Sequence, residues 1–137
     1  MFGFEESYGY LTGSYVRDKD GVGGAYMICE MFSYYAAQGI SLPDKLEELY
    51  KIYGYCLNTL HSYEFDGSAG FAKMQDIMRT FRGEIKEFGG KKVVEVLDYT
   101  SGLDGLPKSD VLKFLLEDHC SIVVRPSGTE PKLKMYI

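Results

Sequence analysis

Three short stretches of this sequence concentrate side chains able to grip an anion or a polyol. The terminal run RPSGTEPKLKMYI, Arg125 to Ile137, sets an arginine, a glycine between two hydroxyls, and two lysines close together. A strand that delivers Arg125 to an edge, followed by a turn at Pro126, would let Ser127, Gly128 and Thr129 bring two hydroxyls and successive backbone N–H groups into one concavity. Arg125 would add a planar, bidentate grip suited to phosphate, and Gly128 would let a ligand come close to the backbone. The same residue types also make a plain surface turn with an incidental arginine, and types alone leave both readings open.

The second stretch is FGFEESYGY, where Glu5, Glu6 and Ser7 stand between glycines and aromatic residues. Carboxylates and a hydroxyl so framed can accept hydrogen bonds from vicinal hydroxyls, with rings available for the apolar faces of a sugar. A solvated acidic turn is the plainer reading on types alone. The third is Arg17-Asp18-Lys19-Asp20, in which Asp20 is placed to cap a helix and Arg17 and Lys19 lie beside its positive end, where an oxyanion could sit. A charged surface turn accounts for the spacing equally well. His61 and His119 read as non-catalytic.

The elements that must hold these stretches follow from periodicity. Residues 1–20 show no clear period and read as loop with one short strand. Met27, Ile28, Met31, Phe32 and Tyr35 recur at helical spacing after Asp20, and Gly39 closes that run. Ser41-Leu-Pro-Asp44 has a capping form, followed by an apolar stripe of Leu46, Leu49, Tyr50 and Tyr53 up to Gly54. The mixed segment 55–65 suits a strand, and Phe71, Met74, Ile77, Met78 and Phe81 predict a third helix ended by Gly83.

Beyond Gly83 the period shortens: 92–99, 111–117, 120–125 and 132–137 read as four strands, the middle two joined by a tight hairpin at Asp118-His119. Helices first and antiparallel strands last predict an α+β fold, with helices packed on one face of a mostly antiparallel sheet. Residues 1–40 fit that layer poorly and read as the loop-helix remnant of an α/β domain, the second domain being 41–137.

Composition narrows the classes. At 137 residues and 45% hydrophobic the chain can bury one ordinary core, and its net charge of −5 gives no general attraction to nucleic acid or to anionic membranes. Any anion site must therefore be local. The three cysteines Cys29, Cys56 and Cys120 lack disulfide or zinc spacing and suit a reduced, cytoplasmic setting, with Cys29 and Cys56 expected as small buried hydrophobes. No segment has the run of about 18 apolar residues that spans a bilayer.

GFEES, RDKDG and RPSGTEPK, in that order, resemble the C-terminal part of the α-D-phosphohexomutase family, the phosphoglucomutases and phosphomannomutases, over essentially the whole chain. The resemblance implies that residues 1–40 end the sugar-binding third domain and that 41–137 form most of the phosphate-binding fourth. It implies that Glu5 and Ser7 contact sugar hydroxyls, with Glu6 a loop neighbour, and that Arg125, Ser127, Gly128 and Thr129 hold the non-transferring phosphate. Lys132 would contribute at longer range, and Lys19 with Arg17 would add positive field near the reacting centre.

The family's T-x-S-H-N-P phosphoserine loop and D-G-D-x-D-R magnesium loop are not in this sequence. The resemblance thus implies a substrate-positioning piece of a larger isomerase that interconverts hexose 1-phosphate and hexose 6-phosphate through a hexose 1,6-bisphosphate. Mg²⁺ would be a cofactor of the parent, this piece would bind no metal and be inactive alone, and its partners would be the phosphosugar and the parent's N-terminal domains. The resemblance also implies a parent that continues beyond this last strand, usually into a further helix. A free-standing phosphosugar-binding regulatory module, or a piece of a phosphomannomutase or phosphopentomutase, are the alternatives, and hexose identity is left open.

Overall fold

The computed structural model describes residues 3–5, 9–15, 18–128 and 130–137. Of the residues singled out above, Glu6, Ser7, Arg17 and Thr129 lie outside those described. The chain forms two compact units, Met1–Cys56 and Leu57–Ile137.

The first unit begins with strands β1 (Gly3–Glu5) and β2 (Gly9–Leu11), antiparallel with Glu5 opposite Gly9. Where one short strand was expected there is a two-stranded hairpin. Helix α1 (Gly21–Ala36) starts at Asp20, whose carboxylate accepts from the backbone N–H groups of Val22 at 2.7 Å and Gly23 at 3.1 Å. That cap satisfies donors the first helical turn would otherwise leave orphaned. Tyr10 lies on Gly24, the helix's one buried residue among those described; a Cβ at Gly24 would come within 2.3 Å of the Tyr10 ring.

Helix α2 (Leu42–Tyr53) opens on Ser41, whose Oγ accepts from Asp44 N, and ends at Gly54 with φ 89°. The compact units divide after Cys56, so α2 groups with α1 and not, as the sequence suggested, with the sheet that follows. Tyr35 is the local reason: its carbonyl accepts from the N–H of Gln38 and Ile40, and Lys45 Nζ stands 5.5 Å over its ring. Gly39, at φ 73°, makes the bend between the helices and not a boundary between units.

The expected burial of Cys29 and Cys56 is not found; both are exposed, as is Cys120. Met27, Ile28, Met31 and Phe32 of α1 all stand exposed, so Cys29 beside them has no core to enter. Cys56 follows α2 on chain outside any helix or strand.

The second unit is a six-stranded antiparallel sheet with one helix, α3 (Gly67–Phe81). Its strands are β3 (Leu60–Glu64), β4 (Glu87–Phe88), β5 (Lys91–Asp98), β6 (Leu112–Leu116), β7 (Ser121–Pro126) and β8 (Lys132–Tyr136), in the order β3-β8-β7-β6-β5-β4. Period-two alternation sends Leu112, Phe114, Leu116, Ile122, Val124 and Leu133 to the face that α3 covers with Met74 and Met78, one helical turn apart. Each of these side chains contributes on the order of 1.5–3 kcal/mol by leaving water. The α+β class stands, and α3 is the helix that shares a unit with the sheet.

Arg82, capping α3, reaches Asp98 at 3.1 Å and also Asp110, tying the helix end to the end of β5 and the approach to β6. His119 makes the β6–β7 turn at φ 65°, with Leu116 N donating to Cys120 O. Among the described residues no helix is long and apolar enough to cross a membrane.

Candidate functional site: an anion cradle and a carboxylate-lysine pair

Strands β7 and β8 run antiparallel with Val124 opposite Met135, Arg125 opposite Lys134 and Pro126 opposite Leu133. Val124 and Leu133 point into the core, so Arg125 and Lys134 both stand on the face turned away from α3. On β8's other side Lys134 pairs with Ser62 of β3, which makes a polar row of Arg125, Lys134 and Ser62 across three strands.

The chain then closes a tight loop. Ser127 N donates to Lys132 O at 2.7 Å and Lys132 N donates to Glu130 O at 2.7 Å, so Ser127 and Gly128 are held at the mouth between the two strands. Gly128 is exposed, and a Cβ there would meet nothing within 4 Å, which leaves its backbone open to approach. Arg125, Ser127 and Gly128 follow one another at this end of β7 and into the loop; Thr129 lies outside the described residues.

Charge separates the two lysines of the KLK run. Lys132 is opposite Glu64 in register, and its Nζ lies 3.2 Å from Glu64 and 3.3 Å from Glu130. Both carboxylates, Glu64 first, raise its pKa above the ordinary lysine value. Arg125 and Lys134 have no carboxylate partner among the described residues. Two cations left uncompensated on adjacent strands repel one another, and an anion between them relieves that repulsion. Residue types in the terminal run do not distinguish Lys134 from Lys132. Alternation alone puts it on the face of Lys132, but only the β7–β8 register sets it opposite Arg125.

In the first unit Glu5 and Lys19, expected as separate contributors, are joined: Lys19 Nζ is 2.5 Å from Glu5 Oε1. Two features bring them together. Asp20 N donates to Tyr10 O at 3.0 Å, laying the 18–20 segment along β2, and Glu5 stands opposite Gly9 in the hairpin. A Cβ at Gly9 would approach Glu5 Oε1 and Lys19 Cβ and Cδ to 3.0 Å, so a glycine there lets the pair lie over the strand. Both partners remain partly exposed, at 38% and 45% of the side chain, so each can still exchange hydrogen bonds with a ligand. Ser7 and Arg17 lie outside the described residues. In the same unit Phe4, Tyr10, Gly24, Met27, Ile28 and Met31 line an apolar hollow of about 590 Å³.

His61, on β3 opposite Met135, and His119, in the hairpin turn, have no nucleophile or acid partner among the described residues. No group of three His, Cys, Asp or Glu side chains able to hold a metal occurs among them either.

Comparison with known proteins matches both units. Residues 68–137 match the family model described as phosphoglucomutase/phosphomannomutase, C-terminal domain, and residues 1–53 match the model for phosphoglucomutase/phosphomannomutase alpha/beta/alpha domain III. The whole chain is 39% identical to a phosphoglucomutase of Staphylococcus aureus and 38% identical to one of Staphylococcus epidermidis, in each case spanning 27% of the relative's length. Among solved structures, the open form of the exocytosis-sensitive phosphoprotein pp63/parafusin, a phosphoglucomutase from Paramecium, aligns over 96% of this chain and 24% of its own, with TM-score 0.61 and 23% identity. The matched models divide the sequence between residues 53 and 68, the same region in which the compact units part.

Proposed function

Since the chain belongs to the phosphoglucomutase/phosphomannomutase family, we propose that it is the substrate-positioning part of a phosphoglucomutase-like isomerase acting on a hexose phosphate. The observation that carries the reading is the Arg125–Lys134 pair, two cations without carboxylate partners beside the Ser127-Gly128 turn.

A phosphoglucomutase moves a phosphoryl group between two positions of one sugar, so a bisphosphate must turn over between two transfers. One grip must then accept either phosphate, and another must read hydroxyls in either orientation. The cradle suits the first task. Its cations and N–H groups recognise charge and tetrahedral shape, and make no contact that depends on which sugar carbon bears the phosphate. Glu5 suits the second: a carboxylate accepts from two vicinal hydroxyls, and the ion pair with Lys19 holds it in place. Ser7 and Thr129 extend the two grips in this reading, and Arg17 adds positive field beside Lys19.

Among the described residues no cluster of carboxylates, histidines or cysteines fits the Mg²⁺ of the family reaction. We assign the metal and the phosphoserine to parts of the parent enzyme that this chain does not span, and expect positioning without phosphoryl transfer from the chain alone. Cytoplasmic phosphosugar metabolism is the setting this reading implies. Isothermal titration of glucose 1-phosphate and glucose 6-phosphate tests it. The two should bind with similar affinity, Arg125→Ala should abolish both, and Glu5→Gln should weaken the phosphosugars without altering inorganic phosphate. Turnover of glucose 1-phosphate by the purified chain would refute it.

A further inference from the structure

Lys132 is held differently from every other cation near the cradle. Its ammonium sits between Glu64 and Glu130 at 3.2 and 3.3 Å, while its own N–H and carbonyl close the loop onto Glu130 and Ser127. Its side chain is 27% exposed, against 67% and 51% for the two carboxylates, so it is the covered centre of the cluster. Glu130 is the awkward member, a carboxylate inside the loop that presents Ser127 and Gly128 to an anion. Left unpaired there, its charge would oppose the binding that Arg125 and Lys134 favour. Glu64 belongs to β3, at the edge of the sheet, and stands opposite Lys132 in register. A single ammonium thus cancels the acid within the loop and straps the return of that loop to the neighbouring strand.

We propose that Lys132 is a positioning residue of the cradle and not a ligand of the anion: it neutralises Glu130 and fixes the loop to β3 through Glu64, leaving Arg125 and Lys134 to meet the phosphate. This rests on the reading of the loop as a phosphate grip. The two roles differ in how Lys132 couples to Glu130. A direct ligand and an independent acid act additively; a neutralising lysine makes the cost of Glu130 visible only when the lysine is gone.

The test is a double-mutant cycle on the 137-residue chain, with inorganic phosphate as the probe, by titration calorimetry at low salt. Lys132→Met should weaken binding by about tenfold, Glu130→Gln alone should change it by less than about twofold, and the double variant should return to within about threefold of wild type. Lys132→Arg, which keeps the charge, should hold wild-type affinity and show that the position tolerates change. An equal effect of Glu130→Gln in both backgrounds, or no loss in Lys132→Met, overturns the role of Lys132 while leaving the cradle intact. Wild-type chain that binds no phosphate removes the cradle itself, and this proposal with it.

Discussion

Arg125 on β7 and Lys134 on β8 stand directly opposite each other in antiparallel register, on the sheet face away from α3, and neither has a carboxylate partner among the described residues. Like charges at such positions cost stability, on the order of 0.2–1 kcal/mol. A fold selected for stability alone would place an acid or a threonine at one of them.

Lys134→Thr should therefore move stability and binding in opposite directions. Chemical denaturation should show a gain of up to about 1 kcal/mol, while affinity for phosphate falls. Loss of both would mean that Lys134 is structural and that the cation pair has no anion to meet.

The second unit depends on the core between α3 and the central strands. Phe114 is fully buried, packs against both Phe81 and Phe88, and belongs to the core that Met74 and Met78 cover. Phe114→Ala should cost about 3–5 kcal/mol in a urea or guanidinium melt, enough to unfold a domain of ordinary stability.

Gly24 gives a prediction in which two principles disagree about sign. Helix propensity says that Gly→Ala inside α1 stabilises by about 1 kcal/mol. The added Cβ would instead fall 2.3 Å from Cδ2 of the Tyr10 ring, so the ring would have to shift from its place on the helix. Gly24→Ala should thus destabilise by about 1–3 kcal/mol, and near-ultraviolet circular dichroism should report displacement of the tyrosine.

Acid should loosen the β5 to β6–β7 turn contact. The hydrogen bond from Lys91 holds Asp118 down at about 2, against an ordinary value of 3.8. A depressed carboxylate contributes stability above its unfolded pKa and loses it as pH falls through the folded one, so the contribution fades between about pH 4 and pH 2. Both partners are largely solvated, so the effect is small. Asp118→Asn should flatten that part of the stability profile and leave the profile above pH 5 unchanged.

Much of the second unit was legible because one face of its sheet is buried. Leu112, Phe114 and Leu116 alternate with Lys113 and Leu115, and that pattern fixes β6 within a residue or so. Helix α2 was equally clear, with Ser41 and Pro43 opening it and Gly54 closing it. The β1–β2 hairpin was half seen because strands as short as Gly3–Glu5 and Gly9–Leu11 are too brief to show a period. The division between units was placed too early, since Gly39 and Pro43 mark a turn between helices with the same residues that mark a domain boundary. At the candidate site the residue types of Arg125, Ser127 and Gly128 suggested an anion grip without choosing it over a turn. Lys134 and the Glu5–Lys19 pair were out of reach because they depend on register and on two segments meeting, which local pattern does not encode.

The central claim is that the β7–β8 loop of this chain grips phosphate. Titrating inorganic phosphate into the isotope-labelled chain and following backbone amide resonances tests it most directly. Saturable shifts confined to Ser127, Gly128 and their neighbours on β7 and β8, absent in Arg125→Ala, are the predicted result. Shifts scattered over unrelated surface lysines, or none at this loop, would contradict it.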